Sequence, residues 1–188
     1  PDGTAYYVFL RDSEGNVVIR TDRLTDPQSV ELNTSAEPAG SYVVTIGPDS
    51  TPKDILPVVI EAYQVASVSV NTANASAGQD EFTINATESP RVTVELTQQA
   101  EEPITTVNLT VWNEATGVVE TVTLAANESA DGEYRYQGSV PELEPGEYNI
   151  QVGVQGTGEV SGRSALIGLS DNSRLTVTEP MDDSGTTD

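Results

Sequence analysis

The chain has 188 residues, of which 30 are acidic and eight are basic, so its formal net charge at pH 7 is −22. A chain this acidic cannot assemble the basic patch that nucleic-acid binding requires. Cysteine and histidine are both absent, which excludes a disulfide framework, thiol or imidazole catalysis and zinc–thiolate sites. No apolar run reaches about 18 residues, so any membrane anchor is expected to lie outside this sequence.

The first third of the chain contains short runs in which apolar and polar residues alternate, the pattern of a half-buried β-strand. Residues 12–16 combine Asp, Ser, Glu, Gly and Asn and predict a hairpin loop. Residues 53–66 have the weakest pattern and could hold a helical turn. The alternating apolar positions in this part are Val30 and Leu32, and then Tyr42, Val44 and Ile46.

The rest of the chain continues the same pattern, with turn signals at residues 113–117, 131–132, 145–146 and 171–172. No segment has a convincing 3.6-residue apolar stripe, so we predict an all-β protein of antiparallel sheets with one buried face. The alternating apolar positions are Phe82 and Ile84; Val92, Val94 and Leu96; Val107, Leu109 and Val111; Val122 and Leu124; Tyr148, Ile150, Val152 and Val154; and Leu175 and Val177.

An internal repeat indicates two modules. In each copy a strand leads into a loop, around Gly15 or Gly117, and the sequence Val-Val lies just beyond that glycine. Each copy later contains Gly-x-Tyr, ending at Tyr42 or Tyr148, at the start of an alternating strand. The loop glycine and the tyrosine are 27 residues apart in the first copy and 31 in the second. We therefore predict domains at residues 1–69 and 70–179.

The two copies differ in the residues before the loop. The second has at least two more strands there, around 82–86 and 91–97, whereas the first has about ten residues. The first module is therefore expected to be a shortened variant, or one whose opening strands lie outside this sequence. Residues 180–188 hold Asp, Ser, Thr and Gly besides one Pro and one Met, and they predict a disordered acidic linker.

The Gly-x-Tyr element resembles the one that opens a late strand in immunoglobulin-like domains, and it is common in repeats of bacterial and archaeal surface proteins. The resemblance implies two tandem immunoglobulin-like antiparallel β-sandwich domains. It also implies that the rings of Tyr42 and Tyr148 lie in the core, with each hydroxyl bonded to backbone of the preceding loop. No cysteine pair is present, so an antibody-type domain is not implied.

The excess of acid with a single lysine, Lys53, resembles proteins of halophilic archaea. Repulsion at this charge density strains a compact fold in dilute buffer. It is screened where salt is molar, because the Debye length falls to about 3 Å at 1 M. An acidic protein from a mesophile and a calcium-loaded protein are the alternatives.

Five Asn-x-Ser/Thr sequons form a mild excess over the number expected for a chain this rich in Ser and Thr. They predict N-glycosylation and hence an extracellular or cell-surface location. Acidic, Thr-rich chains with repeated β-sandwich modules resemble haloarchaeal surface-layer glycoproteins. The sequons are at Asn33, Asn74, Asn85, Asn108 and Asn127.

Clusters of carboxylates suggest Ca²⁺ as the one possible cofactor, because Ca²⁺ takes six to eight oxygen ligands. The best candidate is the loop with Asp12, Glu14 and Asn16. Other clusters are Glu128, Asp131 and Glu133, and Asp182 and Asp183. None has the ligand spacing of a high-affinity loop, so solvated acid that serves salt tolerance is the alternative.

The sequence favours a non-catalytic structural or spacer role in a haloarchaeal surface or secreted glycoprotein. Its partners would be other envelope proteins or further copies of itself. Adhesion or ligand binding through an exposed sheet edge or loops is the alternative, as is an accessory domain of a secreted enzyme. An exposed apolar patch that includes Trp112 or Tyr7 would favour binding.

Overall fold

A computed structural model describes residues 5–48, 51–71, 76–77, 81–128, 134–140, 142–160 and 163–179. These residues form strands and turns with no helix, and so none that could cross a membrane. The all-β prediction is confirmed, and the predicted linker at 180–188 lies outside the described residues. The strands are β1 (Tyr7–Arg11), β2 (Val17–Arg20), β3 (Gly40–Gly47), β4 (Asp54–Ile60), β5 (Tyr63–Asn71), β6 (Ser76–Ala77), β7 (Glu81–Asn85), β8 (Arg91–Gln98), β9 (Ile104–Asn113), β10 (Gly117–Glu128), β11 (Tyr134–Ser139), β12 (Gly146–Val160), β13 (Arg163–Leu169) and β14 (Ser173–Thr178).

The chain divides into two compact units that alternate along the sequence. Unit 1 comprises Pro1–Ala62, Gln99–Thr105 and Gln155–Gly168, and unit 2 comprises Tyr63–Gln98, Thr106–Val154 and Leu169–Asp188. Ser69, the predicted module boundary, lies inside β5, which pairs with β8 through Asn71. The module limits 1–69 and 70–179 stay a prediction.

Unit 1 contains a four-stranded antiparallel sheet with the order β2-β1-β3-β4. Its central strand β1 is buried at three successive residues, Val8, Phe9 and Leu10, so both faces of this strand are covered. The coil that follows β2 lies against β1, because Thr21 N donates to Val8 O and Val8 N donates to Thr21 Oγ1, both at 3.0 Å. β1 therefore does not show the period-two pattern of a half-buried strand.

Three sequence predictions in unit 1 are wrong. Val30 and Leu32 lie in coil, half-buried, with no ladder partner. Residues 53–66 form no helical turn; they hold β4 and the start of β5. In β3 the predicted inward Ile46 is exposed and its neighbour Thr45 is buried. Thr45 tolerates burial because its hydroxyl accepts a hydrogen bond from Arg11 Nε at 3.3 Å.

The second sheet has the order β5-β8-β11-β10-β9-β12-β14-β7-β6, with β13 attached to β12, and most of its strands belong to unit 2. The long strand β10 pairs with β9 up to Leu124 and with β11 from Ala125 onward, so it belongs to two parts of the sheet. Alternate residues of β8, β9, β12 and β14 are almost fully buried, as the sequence predicts.

The repeat predicted from the sequence is present in the strand order. In each copy a hairpin precedes the Gly-x-Tyr strand. The strand order is second hairpin strand, first hairpin strand, Gly-x-Tyr strand and outer strand: β2-β1-β3-β4 and β10-β9-β12-β14. In the first copy the outer strand comes next along the chain, whereas in the second β13 comes before it. Gly15 and Gly117 have φ of +87° and +82° in the two hairpin loops. These left-handed conformations favour glycine, which explains its place in both copies.

The tyrosines of the repeat make the contacts that the resemblance implies. Both rings are buried. Tyr42 Oη donates to Pro38 O at 2.8 Å, and Tyr148 Oη donates to Glu144 O at 2.9 Å, in each case four residues back along the chain. Burial raises the pKa of the Tyr42 hydroxyl above its ordinary value, so it stays a donor throughout the physiological pH range.

Candidate functional site

The outer edge of β4 is the most conspicuous surface of unit 1. β4 pairs with β3, and no other strand in the described part of the chain pairs with it. Ile55 and Leu56 are 65% and 60% exposed, unusually high values for large aliphatic side chains in a strand. An edge strand presents unpaired N–H and C=O groups that can template another strand. This edge can therefore bind an extended peptide through backbone hydrogen bonds and apolar contacts.

Pro57 lies in the middle of β4, opposite Val43 of β3. Proline has no N–H to donate, so within sheets it is tolerated mainly at edges. This strand lacks the alternation by which a half-buried strand is predicted, because Ile55–Ile60 is an unbroken apolar run. Such a run between Asp54 and Glu61 is nevertheless a signal, since it fits a strand with apolar side chains on both faces.

An arginine–aromatic cluster lies on the face of β1 that bears Phe9. It is made of Tyr7, Phe9, Arg11 and Arg20. The Arg20 guanidinium lies 4.1 Å from the centre of the Tyr7 ring, and the Arg11 guanidinium lies 5.3 Å from that of Phe9. Arg11 Nη1 also donates to Gly15 O at 2.9 Å. The guanidinium groups stack on the rings by cation–π attraction and shield Phe9 from water. Tyr7 is thus half-covered and does not present an open apolar patch.

Trp112 faces Val118 across the β9–β10 hairpin of unit 2. Trp112 is half-buried, whereas Val118 is 68% exposed, and a register irregularity follows Val118. A recess of about 250 Å³ beside the hairpin is lined largely by polar and charged residues: Asn113, Glu114, Ala115, Glu147, Tyr148, Asn149 and Arg174. Asn113 Nδ2 donates to Glu147 O at 2.9 Å, which fixes the recess wall. The hairpin offers a small apolar tip beside a polar hollow.

The loop predicted to bind Ca²⁺ is closed by its own hydrogen bonds. Asp12 Oδ1 accepts from Glu14 N at 3.0 Å and from Asn16 N at 2.8 Å. Asn16 Nδ2 donates to Asp12 Oδ2 at 3.0 Å and to Glu14 Oε2 at 3.2 Å. The three predicted ligands do come together, but the Asn16 amide presents N–H groups to both carboxylates. As it stands, the loop is an Asx turn that caps the hairpin.

The Asp12 turn should loosen in acid. Hydrogen bonds from the Asn16 side chain, and then from backbone, lower the pKa of the Asp12 carboxyl below its ordinary value. A carboxyl whose pKa is lowered by folding stabilises the fold above its unfolded pKa of about 4, and this contribution is lost as pH falls through the folded value. We expect the amide NMR signals of Glu14 and Asn16 to be constant from pH 7 to 5 and to move together below pH 4. Movement near pH 6 would contradict the turn.

The described sequons differ in accessibility. Asn33 and Asn127 are exposed. Asn108 is half-buried and accepts a hydrogen bond from Thr123 Oγ1 at 3.0 Å. Asn85 is half-buried, donates to Glu179 O at 3.4 Å and accepts from Thr87 Oγ1 at 2.9 Å. Asn74 lies outside the described residues. Asn33 and Asn127 are therefore the sites most open to a large modification.

Over the described residues, no group of three or more acidic side chains is placed to hold a metal ion. Asp131, Glu133, Asp182 and Asp183 lie outside those residues, as does the Glu128 side chain. The Ca²⁺ sites stay a prediction. Lys53, the one lysine, is exposed beside β4.

No model of a known protein family matches the chain, and no curated protein sequence matches it. Solved structures that resemble it include CopC from Methylosinus trichosporium OB3b, 16% identical, which covers 61% of this chain and 98% of that chain with a TM-score of 0.35. The FN1–FN3 domains of chicken CNTN1 are 16% identical and cover 94% of this chain and 56% of that chain, with a TM-score of 0.36. Murine CRIg is 9% identical, and the match covers 61% of this chain and 99% of CRIg, with a TM-score of 0.28. Identities of 9–16% with TM-scores of 0.28–0.36 assign no function to the chain.

Proposed function

We propose that this chain is a non-catalytic structural region of an extracellular or cell-surface glycoprotein from a halophilic archaeon, made of two tandem immunoglobulin-like modules. The observation that carries the proposal is the repeat: a glycine hairpin, then a Gly-x-Tyr strand whose tyrosine bonds the carbonyl four residues back. A unit that occurs twice, with its landmark residues used for packing, suits a spacer built by adding modules. Its partners would be other envelope proteins.

The charge distribution supports a salty habitat. With 30 acidic and eight basic residues, 22 negative charges are left uncompensated even if every basic residue is paired. One pair that does form joins Arg135 Nη2 to Glu95 Oε1 at 2.7 Å, on the partly exposed surface of β8 and β11. Exposed pairs of this kind are worth about 0–1 kcal/mol, so they offset little of the repulsion. Screening by molar salt relieves it far more.

If the chain is a glycoprotein, its mass should exceed that of the polypeptide by the mass of its glycans. Protein secreted from a haloarchaeal host should exceed the polypeptide mass, because the exposed Asn33 and Asn127 both lie in sequons. Intact-mass spectrometry should show that Asn33→Gln and Asn127→Gln each remove one glycan.

The exposed Asn172 lies outside any sequon and supplies the matched control, since Asn172→Gln should leave the glycan mass unchanged. An intact mass equal to that of the bare chain would remove the glycoprotein assignment. Glycans on neither exposed site, with glycan on Asn108 alone, would instead mean that modification precedes folding.

Binding is a second candidate function, and the free edge of β4 favours it. Its exposed Ile55 and Leu56 lie on a strand with one open side. Neither of the two side chains expected from the sequence to mark a binding patch is fully exposed, since Tyr7 and Trp112 are both half-buried. A binding role would therefore use the sheet edge, in the manner of strand addition.

A further inference from the structure

In each copy an outer strand, β4 or β14, pairs with the Gly-x-Tyr strand on the side away from the hairpin, and the pairing register identifies the matching residues. In unit 1, Gly40 and Tyr42 lie opposite Ile60 and Val58 of β4. In unit 2, Gly146 and Tyr148 lie opposite Val177 and Leu175 of β14. The segment 58–60 of β4 therefore corresponds to the segment 175–177 of β14.

The molecule itself shows what covers such an edge. On its outer side β14 pairs in parallel with β7, with Leu175 opposite Phe82 and Val177 opposite Ile84. Phe82 and Ile84 are buried, and so are their partners. In unit 1, no described strand takes the place of β7, and Val58–Ile60 are only half-buried. The same edge is thus closed in one copy and open in the other.

We propose that the outer edge of β4 binds an extended strand of a partner polypeptide, which adds parallel to β4 as β7 adds to β14. The partner strand has apolar side chains at alternate positions, which lie beside Val58 and Ile60. Leu56 is on the same face, two residues before Val58, and extends the apolar contact. Pro57 occupies the position of Arg174, where the β14–β7 pairing begins, so its missing N–H affects only the end of the ladder.

Charge decides the chemistry of the partner. The chain carries −22, and exposed acids lie at both ends of β4, Asp54 at its start and Glu61 just after it, with Lys53 next to Asp54. Charges held in an interface are screened by salt much less than exposed ones. Two copies of so acidic a chain therefore repel each other there, whereas a strand with basic residues at its polar positions is attracted. The occupant is therefore a basic partner strand and not a second copy. This inference rests on the second candidate function, and the spacer role has separate tests in salt dependence and glycan mass.

A synthetic peptide tests the proposal on the intact chain. It keeps the Phe, Thr and Ile of β7, has lysine on both sides of them, and is blocked at both ends. Backbone N–H groups of alternate residues point to opposite edges, so at least one amide among Val58–Ile60 faces outward. We expect this peptide to slow hydrogen exchange at Val58–Ile60 by about tenfold. The same peptide with proline in place of its threonine should have no effect.

Leu56→Lys removes the apolar contact and adds a charge of the same sign as the peptide's lysines. Because Leu56 is largely exposed, the fold should survive, and a circular dichroism melt verifies this. Peptide affinity should fall about tenfold, the loss expected for one partly buried leucine. Val118→Lys is the matched control, since that valine is equally exposed on the unit 2 hairpin, and it should bind as the original chain does.

Equal protection by the two peptides, or protection confined to other strands, would overturn the proposal. So would equal peptide affinity of the Leu56→Lys and Val118→Lys variants. Light scattering supplies a further decisive outcome: a dimer that Leu56→Lys dissociates in the absence of peptide would mean that a second copy covers this edge.

Discussion

Raising NaCl from 0.1 to 2 M is expected to raise the thermal unfolding midpoint by about 10 °C or more, an effect of several kcal/mol for a chain of this size. The physical reason is the net charge of −22 on 188 residues. Folding brings these carboxylates closer together than they are in the unfolded chain, and salt shortens the distance over which they repel each other. Circular dichroism at the β-sheet band measures the midpoint.

The control separates charge screening from a general stabilising effect of salt. It repeats the salt series at about pH 4, close to the ordinary pKa of a carboxyl group, where the net negative charge is smaller and the salt effect should shrink. Asp12 and Glu95 lose their charge at lower pH than ordinary carboxyl groups, because both pKa values are lowered: that of Asp12 mainly by the Asn16 side chain, and that of Glu95 by Ser67 and then Arg135. An unchanged midpoint between 0.1 and 2 M NaCl at pH 7 would remove the argument for a halophilic host.

Strands of unit 2 could be predicted from the sequence because they meet water on one side. Val92 and Val94 of β8, like Val152 and Val154 of β12, lie on a continuous buried face, while the residues between them are at least partly accessible. Apolar and polar residues therefore alternate in the sequence of these strands. The Gly-x-Tyr contacts were expected for a different reason, since this element resembles one that opens a late strand in immunoglobulin-like domains.

Strands β1 and β4 of unit 1 could not be predicted in this way. Leu10 and Phe9 are both buried although they point to opposite faces, and Ile55 and Leu56 are both exposed. Alternation carries no information when both faces of a strand have the same environment. The parallel pairing of β7 with β14 was also beyond the sequence, because it joins residues more than 90 positions apart and no local turn specifies it.

The candidate site was missed for the same reason. An edge is defined by which strand lacks a neighbour, and that depends on the whole sheet and not on the residues of β4. Ile55 and Leu56 look like core residues in the sequence. Their exposure became evident only when β3 was found on one side of β4 and no described strand on the other. The polar sites, by contrast, were proposed from the local motifs at Asp12 and Asn33.

Truncation of Tyr148 is the second change with a large expected effect. Its ring is buried and lies beside Gly146, within van der Waals reach, so Tyr148→Ala should lower the free energy of unfolding by about 3–5 kcal/mol, as for other large aromatic core residues. Tyr148→Phe keeps the ring and removes only the hydrogen bond to Glu144 O, and should cost about 1 kcal/mol. Tyr42→Phe, which removes the bond to Pro38 O, should cost about the same. Urea unfolding at 2 M NaCl measures all three.

Tyr134→Phe is the matched control for loss of a phenol hydroxyl. Tyr134 Oη donates to the exposed side chain of Gln98 at 3.3 Å, and water can replace that bond, so the variant should stay within about 0.5 kcal/mol of the original. Equal costs at Tyr42 and Tyr148, both above that of Tyr134, would mean that the two copies use one structural device. If Tyr148→Phe lowered the free energy of unfolding as little as Tyr134→Phe does, the packing of the ring alone would stabilise the strand. The two copies would then share the buried ring but not a stabilising hydrogen bond.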